Sequence, residues 1–408
     1  RSTMSQPKVL AMILAGGRGN RLFPLTFERS KPAVPFGGRN SIIDFVLSNF
    51  INSRIFSIYL LVQYKSQSLI EYVRENWQLS AVMHDHFVTV VPPQMRFGPD
   101  WFHGTADAVS QNFNLIRYHK PELVAIFGAD HIYRMDIRQM IDFHMEHKAD
   151  VTVAARPVPI SEGSSFGIIA TDADGRIKGF EEKPKNPTPM PTNPNYVYCS
   201  MGNYIFNTDV LIEALAGAQS KKEHDFGGYV IPSLVGKKAL YAYDFATNRI
   251  PGIKPYEEKG YWRDVGTIKT FWEAHQDILG DKPLFEMNNE QWLIRSSKSE
   301  LPAARILRGE IVNSLIAEGT IINNAKIVNS VIRRGAIIED GVEVIDSIIM
   351  DRVVLKKGCR INKTIVDCSN IIEENVYIGE GSEKPYLRAY VDSSGITVIA
   401  SEMQSLRI

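Results

Sequence analysis

From Lys8 to about Gly280, short aliphatic runs alternate with longer stretches of mixed polarity. Val9-Leu-Ala-Met-Ile-Leu14 runs into glycines, and Ser57-Ile-Tyr-Leu-Leu-Val62 precedes a helically spaced stretch at 66–77. Leu123-Val-Ala-Ile-Phe127 ends at Gly128-Ala-Asp130, and Val151-Thr-Val-Ala-Ala155 follows a second helical stretch at 136–148. Continuous apolar runs joined by amphipathic segments predict buried strands with helical crossovers. This half is therefore expected to be α/β, Rossmann-like, with a mostly parallel sheet. Ligands of such sheets sit at the carboxyl ends of strands, which points to the loops after Leu14 and after Phe127.

Beyond about Leu301 the rhythm changes, and aliphatic residues recur in steps of six: Ile316, Ile322, Val328; Ile332, Ile338, Val344; Ile349, Leu355, Ile361; Val366, Ile372, Ile378. Each triplet repeats its predecessor 16 or 17 residues later, and so does a phrase: Val312-Asn-Ser-Leu-Ile316, Val328-Asn-Ser-Val-Ile332, Ile345-Asp-Ser-Ile-Ile349, more loosely Asn362-Lys-Thr-Ile-Val366. Hexapeptide periodicity of this kind predicts a triangular parallel β-helix with one aliphatic residue per short strand. An irregular β-sandwich is the alternative, and twelve aliphatics on one ladder argue against it. The expected organisation is a catalytic domain over 4–280, a linker over 281–304 with a short ordered piece at Trp292, and a β-helix over 305–408. Arg1-Ser2-Thr3, ahead of Met4, reads as an appended scar.

Composition narrows the function classes. Lys and Arg number 46 and so do Asp and Glu, giving zero formal charge over 408 residues. Without a basic field, neither nucleic acid nor an anionic membrane is an expected partner. No apolar run reaches the ~18 residues of a membrane span. The first apolar stretch is too short for a signal peptide, so a cytoplasmic protein is expected. The three cysteines, Cys199, Cys359 and Cys368, are far apart, lack metal-ligand spacing and read as reduced.

Ala15-Gly-Gly-Arg-Gly-Asn-Arg-Leu22 follows the first strand. Glycines let backbone N–H groups approach phosphate oxygens, and Arg18, Arg21 and Lys31 add positive charge. The spacing fits neither the P-loop nor the dinucleotide fingerprint. Together with Pro24-Leu-Thr26 and Lys31-Pro-Ala-Val34, the turn resembles the signature of sugar-1-phosphate nucleotidyltransferases. Downstream come Gly104-Thr-Ala-Asp-Ala-Val109, Gly128-Ala-Asp-His131, Phe180-Glu-Glu-Lys-Pro184, Ser200-Met-Gly202, His224-Asp-Phe-Gly227 and Tyr261-Trp-Arg-Asp-Val-Gly266. In that order, with a C-terminal left-handed β-helix, the set is similar to the branch that adenylylates glucose 1-phosphate.

That resemblance implies attack by the phosphate of α-D-glucose 1-phosphate on the α-phosphorus of ATP, yielding ADP-glucose and pyrophosphate. Both reactants are anions, so charge neutralisation and alignment matter more than a covalent nucleophile. It implies catalytic roles for Arg18, Lys31, Asp130, Lys183 and Asp264, with Asp130 and Asp264 as ligands of Mg²⁺. Read alone, Asp130 fits a helix N-cap or a turn residue, and Asp264 an ion pair with Arg263. The implied nucleotide site comprises Leu14, Ala15, Gly16, Gly17, Arg18, Gln94, Phe102, Gly104, Thr105, Ala106 and Asp130. The implied sugar pocket comprises Gly167, Glu182, Lys183, Ser200, Tyr204, Asp225, Phe226 and Trp262. For Glu182-Lys183 a solvated surface pair is the plain reading, and for Phe226 and Trp262 core packing. His131 is expected to be a structural loop histidine. Phe102 and Asn20 depart from the family's usual Tyr and Thr or Ser.

Members of the family are typically allosteric tetramers, which implies a homotetramer and anionic metabolite effectors. Arg305, Arg308, Arg333, Arg334, Lys356, Lys357 and Arg360 are the β-helix cations available for them, against the plain reading of a solvated charged face. Glu28 stands where some relatives carry an activator-binding lysine. The implied product feeds glycogen synthesis. Rival readings are a UTP, dTTP or GTP enzyme of the same fold, and a silent regulatory subunit. A hexapeptide acyltransferase is disfavoured because no histidine follows His275.

Overall fold

The computed structural model describes residues 5–401, apart from Arg18, Tyr64, Ala81 and 94–103. The first strand, Val9–Ala15, lies between Ser57–Val62 and Leu123–Gly128, both parallel to it, and Phe87–Val91 extends this parallel half. The helices Gln67–Asn76 and Ile137–Glu146 occupy the two stretches whose spacing predicts them. The sheet of nine strands is nevertheless mixed. The 12-residue strand Tyr196–Asn207 joins Leu123–Gly128, Val151–Pro159 and Gly167–Thr171 antiparallel. Its register slips between Ser200 and Tyr204, and this bulge re-aims the strand beside the site.

The C-terminal half is a parallel β-helix of three ladders. Ile306, Ile322, Ile338, Leu355 and Ile372 stack on one face. Ile311, Ile327, Val344, Ile361 and Ile378 form the second, and Ile316, Ile332, Ile349, Val366 and Ile399 the third. One position of the sequence pattern is corrected here. Ile327, fully buried, takes the ladder place expected for Val328, which is only partly covered. Asn324 turns the preceding corner at φ 51, as Gly341, Gly358 and Asn375 do in later coils, but one residue fewer precedes it here, so the step from Ile322 is five residues.

The recurring Asn-Ser phrase is a corner. Asn313, Asn329, Asp346 and Lys363 all have φ between 46 and 49, a region Asn and Asp tolerate better than most residues. The next residue points inward and closes a hydroxyl column. Ser330, Ser347 and Thr364 each donate to the carbonyl two residues back. The Oγ atoms of Ser314, Ser330 and Ser347 each accept the backbone N–H of the following coil at 3.1 Å.

The halves share a core. Leu22, Phe36, Ile132, Phe271 and Ile278 pack in one cluster with Ile348, Met350, Ile365 and Val398 of the β-helix. Arg333 of the β-helix is buried and donates to the carbonyls of Phe36, Gly37 and Asn40 at 2.8–3.2 Å. Both oxygens of Asp367 accept from Arg29 at 2.9 Å, and its Oδ1 also accepts the N–H of Cys368 at 2.7 Å. The segment 281–304 is a strap over the catalytic half: Trp292 Nε1 donates to Asn49, and the N–H of Arg295 to Ser48.

Candidate functional site

The turn after Val9–Ala15 begins with Gly17 at φ 107 and Gly19 at φ 59, both in the range that favours glycine. A Cβ on Gly19 would lie 3.1 Å from Thr26 Cγ2 and 3.3 Å from Lys31 Cβ. Thr26 Oγ1 also donates to Gly19 O at 2.8 Å. The glycine turn is thereby packed down on the segment that carries Lys31.

Lys31 is itself buried, and its ammonium meets two carboxylates: Asp130 Oδ2 at 3.2 Å and Asp264 Oδ1 at 2.9 Å. Asp130 sits in the tight connection from Leu123–Gly128 to the short strand His131–Tyr133, and caps no helix. Asp264 ends the strand Trp262–Asp264, which pairs antiparallel with His131–Tyr133 so that Asp264 faces His131. One small ribbon therefore brings together residues more than a hundred positions apart. The expected alternative for Asp264 does not occur, because Arg263 pairs with Glu258 and Asp277. Arg21 approaches Asp264 across Gly266, where a Cβ would lie 3.0 Å from Arg21 Nη2 and 2.9 Å from Asp264 Oδ1.

Burial opposes the charge on Asp130, but His131 and Lys31 outweigh it and hold the carboxyl at about 2. Burial lowers the pKa of His131 against the pull of both carboxylates. Its ring stacks on Trp262 with centroids 4.4 Å apart. Among the described residues, Asp130, His131 and Asp264 form a group whose ligand atoms lie within 4.8 Å of one another. Two hard carboxylates suit a divalent cation that also takes phosphate oxygens, and such a cation would displace the Lys31 ammonium from between them.

A cleft of about 510 Å³ opens at the carboxyl ends of the parallel strands. Leu14, Gly16 and Gly17 line it from the first strand's turn, Leu61 and Gln63 from the next strand, and Gly128 and Asp130 from the third. Gly104 and Thr105, packed against Asp225, Phe226 and Gly227, line it further, together with Gly202 and Tyr204. Asp225 caps the turn at Phe226–Val230 and accepts the N–H of Gly228 at 2.6 Å. Phe226 lines the cleft and also packs in the core against Tyr204 and Phe206, as its plain reading expects.

Other expected residues stand back from the cleft. Ala15 and Ala106 are buried behind its wall, Ala106 donating its N–H to His224 O at 2.8 Å. Gly167 pairs with Glu182 in an edge hairpin, and Lys183 follows it at φ 42, exposed. Ser200 sits at the bulge, and Trp262 is buried under His131. Arg18, Gln94 and Phe102 lie outside the described residues. Gln63 was absent from the expected set. Its signal was available, since it directly follows an apolar strand run, at the end where ligands gather.

Four of the seven β-helix cations have partners within the chain. Arg333 holds the Phe36–Asn40 carbonyls and Asp351, and Arg334 pairs with Glu318 and Ser297. Lys356 pairs with Glu373 and Arg360 with Glu343. Arg305, Arg308 and Lys357 remain exposed.

A nucleotidyl transferase family model matches residues 10–281, and a GlmU-like C-terminal hexapeptide model matches 302–399. A glucose-1-phosphate adenylyltransferase of Thermodesulfovibrio yellowstonii is 62% identical over 394 residues, covering 96% of each chain. Proteins of the same name from an Anaeromyxobacter species and Photobacterium profundum are each 44% identical, covering 97% and 96% of this chain and 99% and 97% of their own. With these matches spanning both halves, the chain belongs to the glucose-1-phosphate adenylyltransferase family of nucleotidyltransferases.

Proposed function

We propose that the chain forms ADP-glucose and pyrophosphate from ATP and α-D-glucose 1-phosphate, by direct attack of the sugar phosphate on the α-phosphorus. The observation that carries this reading is the Lys31 ammonium between Asp130 and Asp264, beside a cleft walled by a glycine turn on one side and polar turn residues on the other. The glycine turn offers backbone N–H groups to the triphosphate. Asp225 and the Tyr204 hydroxyl offer acceptors and a donor to sugar hydroxyls. Lys183, exposed on its flexible stem after the edge hairpin, supplies a point charge for the sugar phosphate. Lys31 and Arg21 sit where charge on the reacting phosphates needs compensation.

Asp130 and Asp264 are the residues that would hold Mg²⁺, and their ionised oxygens suit it. Bound there, the cation would neutralise phosphate charge as a Lewis acid. Within the chain, His131 and Lys31 hold the Asp130 carboxyl ionised, so no proton must leave it before the ion enters.

The same reading includes a cytoplasmic homotetramer regulated by an anionic metabolite and supplying glycogen synthesis. Ile306, Leu307 and Val312 stand exposed on the first β-helix strand, Arg305–Val312, which supports assembly through that edge. The Arg29–Asp367 pair, two residues from Lys31, supports communication between the halves. Among the described residues no helix is long and apolar enough to cross a membrane.

The test is pyrophosphate release from the purified chain with Mg²⁺ and glucose 1-phosphate, supplying ATP, UTP, dTTP and GTP separately. A strong preference for ATP is expected. Preference for another nucleotide would keep the fold and overturn the base assignment, and silence with all four, effectors included, would favour a regulatory subunit. Rates unchanged across sugar phosphates, phosphate, AMP and pyruvate would remove the regulatory part.

A further inference from the structure

We infer that Thr105 is a positioning residue for the sugar side of the cleft, acting through Asp225, and is not a nucleotide contact. The inference rests on the proposed role of Asp225 toward glucose 1-phosphate. A threonine hydroxyl has one proton to give. Here Thr105 Oγ1 donates it to Asp225 Oδ1 at 2.9 Å and accepts the N–H of Phe226 at 3.0 Å. The hydroxyl is thus spent inside the protein, although its residue lies in the segment expected to meet the nucleotide.

The backbone beside it is locked to the same turn. The N–H of Ala106 donates to His224 O at 2.8 Å. A Cβ on Gly104 would lie 2.3 Å from that same carbonyl oxygen, so only glycine permits the approach. Segment 104–106 therefore clamps the turn from His224 to Phe226 at three consecutive residues. The clamp fixes the plane of an exposed carboxylate. Asp225 Oδ1 takes the Thr105 proton and Oδ2 takes the Gly228 N–H at 2.6 Å. A carboxylate has about four lone-pair sites, so the remaining ones face the cleft in a fixed orientation. Aligned acceptors distinguish one arrangement of sugar hydroxyls from another; a freely rotating carboxylate does so less well.

The test compares Thr105→Val, Thr105→Ser, Asp225→Asn and the Thr105→Val/Asp225→Asn double variant, measuring kcat and both KM values. Loss of a hydrogen bond to a charged group should raise the KM for glucose 1-phosphate roughly tenfold in Thr105→Val, with the KM for ATP within about twofold. Thr105→Ser keeps the hydroxyl and should restore most of the affinity. The double variant should be no worse than Asp225→Asn alone, since both changes remove one arrangement. A rise in the KM for ATP, or independent multiplying effects, would overturn the inference. If Asp225→Asn leaves the KM for glucose 1-phosphate unchanged, the proposed sugar site fails instead. Should the valine variant not fold, Thr105→Ala is read by the same criteria.

Discussion

Two buried titratable groups flank the segment at 35–41, and substituting one should expose the other. Asp44 is fully buried, accepting from Tyr72 Oη, Trp77 Nε1 and the N–H of Ser41. Burial raises its pKa from 3.8 to about 6, against those hydrogen bonds and the charge of Arg333. His275 is equally buried; its Nε2 accepts from the N–H of Gly37 at 2.9 Å, and its Nδ1 faces Phe271 O at 2.8 Å. That arrangement needs the neutral ring, and burial lowers its pKa from 6.5 to about 3. The signs are opposite. Below pH 6.5 the unfolded chain protonates this histidine and the folded chain does not, so stability is lost as pH falls, by about 2 kcal/mol between pH 7 and 5. Below pH 6 the folded chain protonates Asp44 before the unfolded chain does, so stability is gained, by ~1 kcal/mol over the same step. In the parent the gain offsets roughly half of the loss. Asp44→Asn removes the gain, and should lose ~1 kcal/mol more than the parent between pH 7 and 5. Urea unfolding at both pH values reads this directly, as a difference of differences in which other groups cancel. Equal losses in parent and variant would refute the buried, near-neutral titration of Asp44.

Asp130→Asn should lower kcat by orders of magnitude with smaller changes in KM, because it removes charge handling in the transition state, whereas Lys183→Gln should chiefly raise the KM for glucose 1-phosphate. The reverse pattern in steady-state kinetics would exchange their roles. Arg333→Met should cost about 3–5 kcal/mol, since it strands three carbonyls and Asp351; a denaturation midpoint like the parent's would show that this contact does not hold the halves together. Ile327→Ala should destabilise by about 2–5 kcal/mol and Val328→Ala by under ~1, a contrast that checks which residue faces the β-helix interior.

The sequence made the two architectures legible because each has a strict rhythm. Apolar runs at 9–14, 57–62 and 123–127 became the parallel strands, and the ladder aliphatics became the β-helix, except where one coil is a residue shorter between Ile322 and Ile327. The antiparallel strand Tyr196–Asn207 was not legible, since its bulge and its three partners depend on packing. The carboxylate pair could be named from its motifs, but not its link to Lys31, which needs the ribbon of His131–Tyr133 and Trp262–Asp264 to form. The partners of the β-helix cations were not legible for a related reason. Charge is visible in a sequence, whereas the carbonyls and acids that consume Arg333 and Arg334 come from distant residues.

The common core of the two halves limits how such a chain can be recombined. A gene fusion that joins a transferase to a hexapeptide array supplies both rhythms at once, yet leaves Phe271 and Ile278 facing whatever surface the new array presents. Only an array carrying apolar groups where Ile348, Met350, Ile365 and Val398 stand would bury them. Grafts exchanged at the apparent boundary near residue 304 should therefore succeed between relatives that share this inner face and aggregate otherwise. The linker is where the chain can be cut on paper; the graft must match along a seam that runs through Phe36, Ile132 and Val398.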